Sequence, residues 1–412
     1  MKPRILLCLL LALLAALPGM AQTEIDLSTP APAPEQHAAP RAPELSAAPL
    51  LETAPMKLPC AAAILVEPQS GQVIFEHNAD APRTVASVVK VMTILLALEA
   101  IEAGRVALDD EITVSQDAAG MGGSQVLLDV GEVQPFEELL KSMIVGSAND
   151  AAVAVAEALY GSQALCVARM NERAKELNMA GTTFVNCTGL PADGQVTTAR
   201  DVAIMTMQMI THPMYFEYSG IWMDEVDHGD GRITQLTNTN KLIRLYDGCD
   251  GGKTGSTNDA GYCVTATSKR GDMRLIAVVL GAEKGSVRFD TAAEVFDYGF
   301  ANYRLYPVAT RGTKVRGELP VVGGDRAGVP LALDGDLTLL VKKGDEQGIS
   351  LVPSLPESVE APIRYGEVVG SVDVVVENRV IARIPVVATH EVASKGFGNA
   401  LRRILENWAI VG

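Results

Sequence analysis

The feature that most constrains the fold is a long helical stretch lying between two pairs of strands. Apolar runs of strand length, paired across short turns, predict strands at Ala61–Glu67, Gln72–Glu76, Gly261–Ser268 and Met273–Gly281. Apolar residues at helical spacing lie between these pairs and predict helices at Phe136–Met143, Ala151–Leu159, Ala164–Asn178 and Thr198–Ile210. A sheet formed from both pairs and covered by the helices is an α+β fold.

Shorter elements complete this region. Two short strands are expected at Leu108–Val114 and Ser124–Leu128, on either side of a glycine-rich turn. A second glycine-rich stretch, Asp247–Thr257, places Lys253–Gly255 where a strand begins. Helical spacing predicts a last helix at Thr291–Tyr303.

The composition changes near Leu305, where valine, leucine, glycine and proline begin to dominate. Short apolar runs separated by turns predict strands at Thr313–Val315, Leu337–Val341, Glu367–Val372 and Arg379–Ile384. This pattern is typical of a small all-β domain. We therefore divide the folded chain into a first domain at 57–304 and a β domain at 305–390.

The N-terminus has the pattern of a secretory signal over 1–21. Two basic residues precede the apolar run Ile5–Leu17, and Gly19–Ala21 offers the small residues that a signal peptidase recognises. A retained membrane anchor is the alternative, although the run is shorter than the roughly 20 residues that span a bilayer. Residues 22–56, rich in alanine and proline, predict a flexible spacer. We expect the chain to be secreted and to act at the outer face of the cytoplasmic membrane.

The C-terminal segment 391–412 predicts an amphipathic helix. Its apolar face carries Phe397, Leu401, Ile404, Leu405, Trp408 and Val411. Tryptophan and nearby arginines beside an apolar stripe are typical of a helix that lies in a membrane interface, so we expect attachment to a membrane surface. A helix packed on its own domain or in an oligomer is the alternative.

The charge and the cysteine content disfavour several function classes. The formal net charge of −16 argues against nucleic acid as a partner, because a phosphate backbone attracts a basic surface. Of six cysteines, Cys8 lies in the signal, and no C-x-x-C pair exists that would indicate a zinc ribbon or a thioredoxin-like site. The other five allow one disulfide, and at least one thiol stays unpaired within the chain.

Ser87 and Lys90 lie three residues apart at the start of an apolar helix, so they share a face. A serine hydroxyl is a weak nucleophile at neutral pH, but a neighbouring amine that is partly desolvated can accept its proton. The S-x-x-K spacing therefore predicts Ser87 as a nucleophile and Lys90 as its base. A helix-start serine beside a solvent-exposed lysine is the alternative, because the spacing is common by chance.

Two later motifs carry further polar groups. Ser147 can relay a proton, and the amide of Asn149 can hold a substrate carbonyl. In Lys253-Thr254-Gly255, the lysine adds positive charge, the threonine offers a hydroxyl to a carboxylate, and nearby glycines let a peptide-like substrate approach the backbone. Each motif alone also has an ordinary structural explanation.

Taken in the order S-x-x-K, S-x-N and K-T-G, the motifs are the set of β-lactamases and penicillin-binding proteins. From Ala61 onward the sequence resembles the D-alanyl-D-alanine carboxypeptidases of the low-molecular-weight penicillin-binding type, peptidase family S11. The supporting runs are Ala86–Thr93, Ser147–Ala151, Phe184–Asn186, Thr198–Asp201, Gly252–Thr257 and Ala260–Tyr262. The resemblance implies a β-lactamase/transpeptidase-like domain, with an antiparallel sheet and helices, followed by the β domain and the amphipathic helix.

The resemblance also implies a role for each residue. Ser87 is acylated by the penultimate D-alanine carbonyl of a peptidoglycan stem peptide, which releases the terminal D-alanine, and Lys90 is the base. Ser147 passes the proton to the leaving amine, and Asn149 orients the substrate amide. The backbone N–H groups of Ser87 and Ser256 form the oxyanion hole, worth about 3 kcal/mol per donor.

The substrate-binding residues follow from the same resemblance. Lys253 lies near the leaving group, and Thr254 binds the terminal carboxylate, with Gly255 in the same strand. Arg288 helps to hold that carboxylate, or else is a surface charge at the start of a helix. Water hydrolyses the acyl-enzyme without a metal or other cofactor, and β-lactam antibiotics are inhibitors.

Three rival functions stay open. A class A β-lactamase needs a glutamate that activates the deacylating water, and Gly181–Leu190 contains none. A D,D-transpeptidase or endopeptidase uses the same acyl-enzyme. A non-catalytic wall-binding protein would work through the β domain, and the intact motifs argue against it. The departures from the family pattern, at Ser256, Val88–Val89 and Cys187, remove no catalytic group.

Overall fold

The computed structural model describes residues 41–45, 56–376 and 378–396. The helices are α1 Lys90–Glu102, α2 Gln116–Ala119, α3 Phe136–Val145, α4 Asn149–Tyr160, α5 Gln163–Glu176, α6 Ala199–Met209, α7 Tyr215–Ser219, α8 Leu242–Leu245 and α9 Gly285–Asn302. The strands are β1 Ala62–Glu67, β2 Gln72–His77, β3 Glu111–Thr113, β4 Val133–Pro135, β5 Met223–Asp227, β6 Ile233–Thr237, β7 Cys249–Thr257, β8 Gly261–Arg270, β9 Met273–Ala282, β10 Tyr303–Ala309, β11 Lys314–Val322, β12 Gly328–Leu333, β13 Leu337–Lys342, β14 Ile349–Ser354, β15 Val359–Glu360, β16 Val368–Val376 and β17 Arg379–Ala388. Single 3₁₀ turns lie at Ala86–Val89 and Glu346–Gly348.

Five strands form a central antiparallel sheet in the order β2-β1-β9-β8-β7. β1 pairs with β9, with Ala63 opposite Val279, so strands from the two ends of this region lie side by side. β1 is buried along its whole length, because both faces of the sheet are covered. The predicted α+β fold is confirmed.

Successive residues of β1 point to opposite faces of the sheet and enter two different cores. Ala62, Ile64 and Val66 pack in the larger core with residues of α1 and α6. Ala63 and Leu65 pack in a second core with residues of α9. α6 packs directly on β1, β8 and β9, α1 packs against α6, and the 3₁₀ turn before α1 contacts β7.

Helix α4 is built from small residues that allow other helices to approach closely. Ala151, Ala152, Ala154 and Ala156 are all buried, and α4 packs against α1, α3 and α5. This packing brings the N-terminus of α4 to the start of α1.

The predicted strand Ser124–Leu128 is wrong, because the segment is an irregular loop. The buried carboxylate of Asp150 accepts hydrogen bonds from the backbone N–H groups of Val126 and Leu128. Leu127, between them, has a φ of 65°. The bonds to Asp150 therefore replace strand pairing, and β3 pairs with β4 instead.

Two other predicted boundaries differ from the structure. β7 begins at Cys249, so Lys253 lies within the strand and not at its start. α9 begins at Gly285, earlier than the predicted Thr291, which places Arg288 in its first turn. The β5–β6 hairpin has no predicted counterpart, because most of its residues are exposed or half-buried and give no apolar run.

The C-terminal region forms a second sheet in the order β14-β16-β17-β12-β11-β15, and β10 pairs with β13. The four predicted strands correspond to β11, β13, β16 and β17. The other strands here have no predicted counterpart. The core of this region includes Leu319, Val329, Val374, Ile384 and Val386.

Part of the predicted spacer is packed. The backbone N–H of Ala42 donates to Gln208 Oε1 over 3.0 Å, and Ala42 and Leu45 contact the larger core. This contact differs from the flexible spacer predicted for 22–56. The predicted signal at 1–21, the rest of that spacer before Met56 and the tail from Phe397 lie outside the described residues. Within the described part, no single helix is long and apolar enough to cross a membrane, although the α4–α5 pair, bent by 81°, passes that test together.

Candidate active site

Two glycines hold the turn that carries Ser87. Ala86, in the 3₁₀ turn, has a φ of 50°, which costs a residue with a side chain roughly 1–3 kcal/mol. A Cβ on Gly189 would overlap the Ala86 carbonyl oxygen. A Cβ on Gly255 would lie 2.8 Å from the Ser87 backbone nitrogen. Glycine at both positions therefore lets two chain segments close around the turn, while Ser87 stays half-exposed.

Lys90 is buried at the start of α1, and its Nζ lies 3.0 Å from Ser87 Oγ. The same nitrogen lies 2.6 Å from Asn149 Oδ1 and 2.7 Å from the Thr188 carbonyl oxygen, both of which can only accept hydrogen bonds. Burial lowers the pKa of Lys90 from 10.5 to about 7. A neutral amine has two N–H donors and one lone pair, so the two acceptors direct the lone pair to the Ser87 hydroxyl.

Asn149 uses both ends of its side-chain amide within the protein. Oδ1 accepts from Lys90, and Nδ2 donates to the Gly122 carbonyl oxygen over 2.6 Å. The backbone N–H of Asn149 donates to the Ser124 carbonyl oxygen over 2.7 Å. Asn149 therefore orients Lys90, and its second Nδ2 hydrogen is the one that can reach a substrate carbonyl. The substrate contact stays a prediction.

Ser147 and Lys253 form a second buried pair, with Lys253 Nζ donating to Ser147 Oγ over 2.6 Å. Lys253 Nζ also donates to the Thr254 carbonyl oxygen over 3.2 Å. Desolvation, followed by the positive charges of Lys90 and Arg288, holds the pKa of Lys253 well below its usual value. Ser147 has a φ of 63°, so a strained backbone places its hydroxyl beside the lysine.

β7 is an edge strand of the central sheet and lies against the Ser87 turn. Gly255 approaches the Ser87 nitrogen closely, and Ser256 is the next residue along β7. Thr254 is buried and Ser256 is exposed. Backbone N–H groups from two chain segments that meet in this way can form an oxyanion hole.

Arg288 contacts β7 and β8 from the first turn of α9. Its NH1 donates to the Gly255 carbonyl oxygen over 3.0 Å and to the Cys263 carbonyl oxygen over 3.2 Å. The guanidinium also lies 4.7 Å from the centroid of the Phe289 ring. Desolvation lowers the pKa of Arg288 from its usual value. These contacts position the strand that carries Gly255, and binding of a carboxylate by Arg288 stays a prediction.

The sequence did not indicate that the loop around Thr188 completes the Lys90 pocket. Asn186 Oδ1 accepts from the backbone N–H groups of Thr188 and Gly189 over 3.2 and 2.7 Å. Asn186 Nδ2 donates to the Leu190 carbonyl oxygen over 2.9 Å. This turn directs the Thr188 carbonyl to Lys90. An asparagine three residues before a glycine is a turn signal, but it does not reveal which distant group the turn contacts.

A serine beside a buried amine of lowered pKa, with a second serine–lysine pair and a strand edge next to it, is the arrangement that an active-serine enzyme with a lysine base requires. Residues 50–284 match the family model described as D-alanyl-D-alanine carboxypeptidase, and 303–394 match that of the C-terminal domain of penicillin-binding protein 5. The chain belongs to the D-alanyl-D-alanine carboxypeptidase family.

Curated relatives match most of the chain. D-alanyl-D-alanine carboxypeptidase DacF of Bacillus subtilis is 35% identical over 347 residues, which are 84% of this chain and 89% of that protein. D-alanyl-D-alanine carboxypeptidase DacC of Escherichia coli is 34% identical over 343 residues, 81% of this chain and 84% of that protein. With the match to the family model, these relatives identify the chain as a hydrolase of this type.

Solved structures agree in fold. Penicillin-binding protein 5 of Haemophilus influenzae superposes with a TM-score of 0.72 at 26% identity, over 83% of this chain and 100% of that chain. Penicillin-binding protein D2 of Listeria monocytogenes, solved in its ampicillin-bound form, superposes with a TM-score of 0.54 at 31% identity, over 60% of this chain and 100% of that chain.

Proposed function

We propose that this chain removes the terminal D-alanine from peptidoglycan stem peptides through an acyl-enzyme on Ser87. The observation that carries the proposal is Lys90 Nζ at 3.0 Å from Ser87 Oγ, in a buried pocket that lowers the lysine pKa to about 7. A base with a pKa near the working pH is both unprotonated and strong enough to take a proton.

Acylation begins when Lys90 takes the Ser87 proton as Oγ bonds to the penultimate carbonyl carbon. The charge on the carbonyl oxygen is stabilised by the backbone N–H groups of Ser87 and Ser256, at about 3 kcal/mol per donor. Ser147 then gives its proton to the leaving nitrogen and takes one from Lys253. The C–N bond breaks, and free D-alanine leaves.

Lys253 and Thr254 bind the terminal carboxylate of the substrate. In the free protein, burial keeps the pKa of Lys253 low. An incoming carboxylate favours the ammonium form, because an opposite charge nearby raises the pKa of an amine. Arg288 adds positive charge behind Gly255, which it contacts.

Before deacylation, Lys90 releases the proton that it took from Ser87, and Lys253 regains the proton that it gave to Ser147. Water then attacks the ester carbon while Lys90 takes one of its protons, the C–Oγ bond breaks, and Ser87 Oγ takes that proton from Lys90. The loop Gly181–Leu190 contains no glutamate to activate that water, and it contributes the Thr188 carbonyl to the Lys90 pocket. β-Lactam acyl-enzymes are therefore expected to hydrolyse slowly, so that these antibiotics inhibit the enzyme. The ampicillin-bound relative from Listeria supports this expectation.

The place of action follows from the substrate and the sequence. Peptidoglycan lies outside the cytoplasmic membrane, and the N-terminal pattern at 1–21 is that of a secretory signal. The segment 391–412 attaches the protein to the outer face of the cytoplasmic membrane. Removal of residues 396–412 should release the protein into the soluble fraction, and an unchanged distribution would contradict attachment.

The reaction is tested by labelling with a fluorescent penicillin and by measuring D-alanine release from diacetyl-L-lysyl-D-alanyl-D-alanine. The wild type should take one label and release D-alanine. Ser87→Ala should do neither while keeping its thermal unfolding temperature. A wild type that does not label would favour a wall-binding role, and fast penicillin hydrolysis would favour a β-lactamase.

A further inference from the structure

A cavity of about 610 Å³ opens where β7 ends, directly after the residues of the active site. Its lining runs from Ser256 through the β7–β8 turn to Tyr262 and includes Gly281, Ala282 and Glu283, at the end of β9 and just after it. Arg83, from the loop before the Ser87 turn, also lines it. The volume lies within the range of small-ligand sites. Apart from Ser256, the reaction proposed above uses none of the residues that line this cavity.

The cavity combines one cation with two anions. The backbone of Arg83 is fixed by paired hydrogen bonds with Thr197, at 2.8 and 2.9 Å. Its Nε is buried and has no hydrogen-bond partner among the residues that the structure describes. Asp259 and Glu283 are exposed, and neither forms an ion pair within the described part of the chain. Arg83 likewise forms no ion pair within the described part of the chain, so its positive charge would attract an anion that enters the cavity.

The direction of the bound peptide leads into this cavity. In the proposed complex the terminal carboxylate lies at Thr254 and the scissile carbonyl at Ser256. An extended chain advances about 3.3 Å per residue. The residue that precedes the two D-alanines therefore lies beside Thr257 to Asp259, at the mouth of the cavity.

We propose that the cavity binds the side chain of the residue before D-Ala-D-Ala, and selects a side chain that ends in both an ammonium and a carboxylate group. The inference rests on the proposed function. The ligand's carboxylate pairs with Arg83, and its ammonium pairs with Asp259 and Glu283. A ligand side chain with an ammonium group alone would leave the Arg83 guanidinium unpaired. A side chain with a carboxylate alone would be repelled by Asp259 and Glu283.

Three peptides that differ only at the residue before D-Ala-D-Ala test this inference. That residue is meso-diaminopimelate, which carries both groups, L-lysine, which carries the ammonium alone, or L-alanine, which carries neither. D-Alanine release by the wild type should have a kcat/KM at least about tenfold higher for the first peptide than for the second, mainly through KM. Values within twofold for all three peptides would overturn the inference.

Variants of the cavity separate recognition from a structural role. Arg83→Gln should remove the preference for the diaminopimelate peptide over the lysine peptide, and Arg83→Lys should restore part of it. Asp259→Asn should lower kcat/KM for both amine-bearing peptides and leave the alanine peptide within twofold. Arg311→Gln, which changes an exposed arginine of the C-terminal region, is the matched control.

The outcomes distinguish this inference from the proposed function. Equal loss on all three peptides in Arg83→Gln would indicate a structural role and overturn the inference alone, since the wild type still releases D-alanine. A wild type that labels with fluorescent penicillin but releases D-alanine from no peptide would overturn both. Retained labelling in Arg83→Gln would show that the Ser87 site is intact. Loss of the preference for the diaminopimelate peptide in that variant would then support binding of this side chain in the cavity.

Discussion

The region before Thr291 and the C-terminal β domain bury different kinds of side chain. Among the described residues, buried polar or charged side chains lie at Thr291 or before it, and they include Glu67, Lys90, Asn149 and Lys253. The core of the β domain is apolar. Both regions follow the rule that apolar residues fill cores, but the first buries groups that are costly to remove from water.

This difference indicates where function constrains the sequence. A buried amine without a carboxylate partner lowers stability, because water solvates an ammonium group far better than a protein interior does. Lys90 and Lys253 both bear this cost, and both contact serine hydroxyls. The β domain has no comparable group among its described residues. Substitutions should therefore separate activity from stability in the first region and leave activity unaffected in the second.

The largest effect is expected from Ser87→Ala. Loss of the nucleophile should reduce kcat for D-alanine release by about four orders of magnitude or more, because the covalent route is lost. The unfolding temperature should change little, since Ser87 is half-exposed. Calorimetry and D-alanine release measure the two effects. Residual activity above one per cent would mean that another group attacks the carbonyl.

Lys90→Met should give the next largest effect. Loss of the base should lower the rate of penicillin acylation roughly 10²- to 10⁴-fold. The free energy of unfolding should change by no more than about 3 kcal/mol, because removal of a desolvated amine offsets the cost of leaving the Asn149 and Thr188 oxygens unpaired. The matched control is Lys141→Met, which removes a lysine paired with Glu138 and Asp224. Equal acylation rates in the two variants would contradict the assignment of Lys90 as the base.

The pH dependence of acylation tests the same residue in the unmodified protein. With a Lys90 pKa of about 7, the rate should fall about tenfold per pH unit below that value, because the base becomes protonated. Above pH 8 the rate should level off. Stopped-flow acylation from pH 5 to 10 provides the profile. A rate that keeps rising to pH 10 would mean that Lys90 has an unperturbed pKa.

Stability should depend on pH through the same lysine. The folded pKa of about 7 lies below the unfolded value of 10.5, so the unfolded state binds more protons between these values. Stability from this group therefore rises with pH across that window, by up to about 1.4 kcal/mol per unit, and is flat below it. The difference in unfolding free energy between wild type and Lys90→Met should show this slope from pH 7 to 8.5. A constant difference would contradict it.

The sequence predicted the parts of the site that depend on local spacing. Ser87 and Lys90 are one turn apart, and the strand pairs have clear apolar runs, so both could be read directly. The contacts of Thr188 and Gly189 with the Ser87 turn join segments that are distant in the chain. No local pattern reports such contacts.

The wrong strand at Ser124–Leu128 has the same origin. The segment does contain an apolar run, but the backbone N–H groups of Val126 and Leu128 donate to the carboxylate of Asp150 and not to a neighbouring strand. Asn149, which contacts Lys90, is the residue before Asp150, so the hydrogen bonds to Asp150 hold the loop next to the active site. In this segment the hydrogen bonds to Asp150 outweigh the local preference for a strand.

The smallest effect on activity is expected in the β domain. Leu331→Ala, on β12, should lower the stability of this domain by about 2–5 kcal/mol, because it leaves a cavity in an apolar core. Its kcat/KM on a soluble peptide should stay within twofold of the wild type. Leu65→Ala, a similar truncation within the central sheet, is the matched control and should lower both stability and activity, since its core supports the strands of the site. A tenfold lower kcat/KM in Leu331→Ala, with the domain still folded, would show that the β domain influences the active site. The contrast in buried groups would then not separate a catalytic region from a region without effect on catalysis.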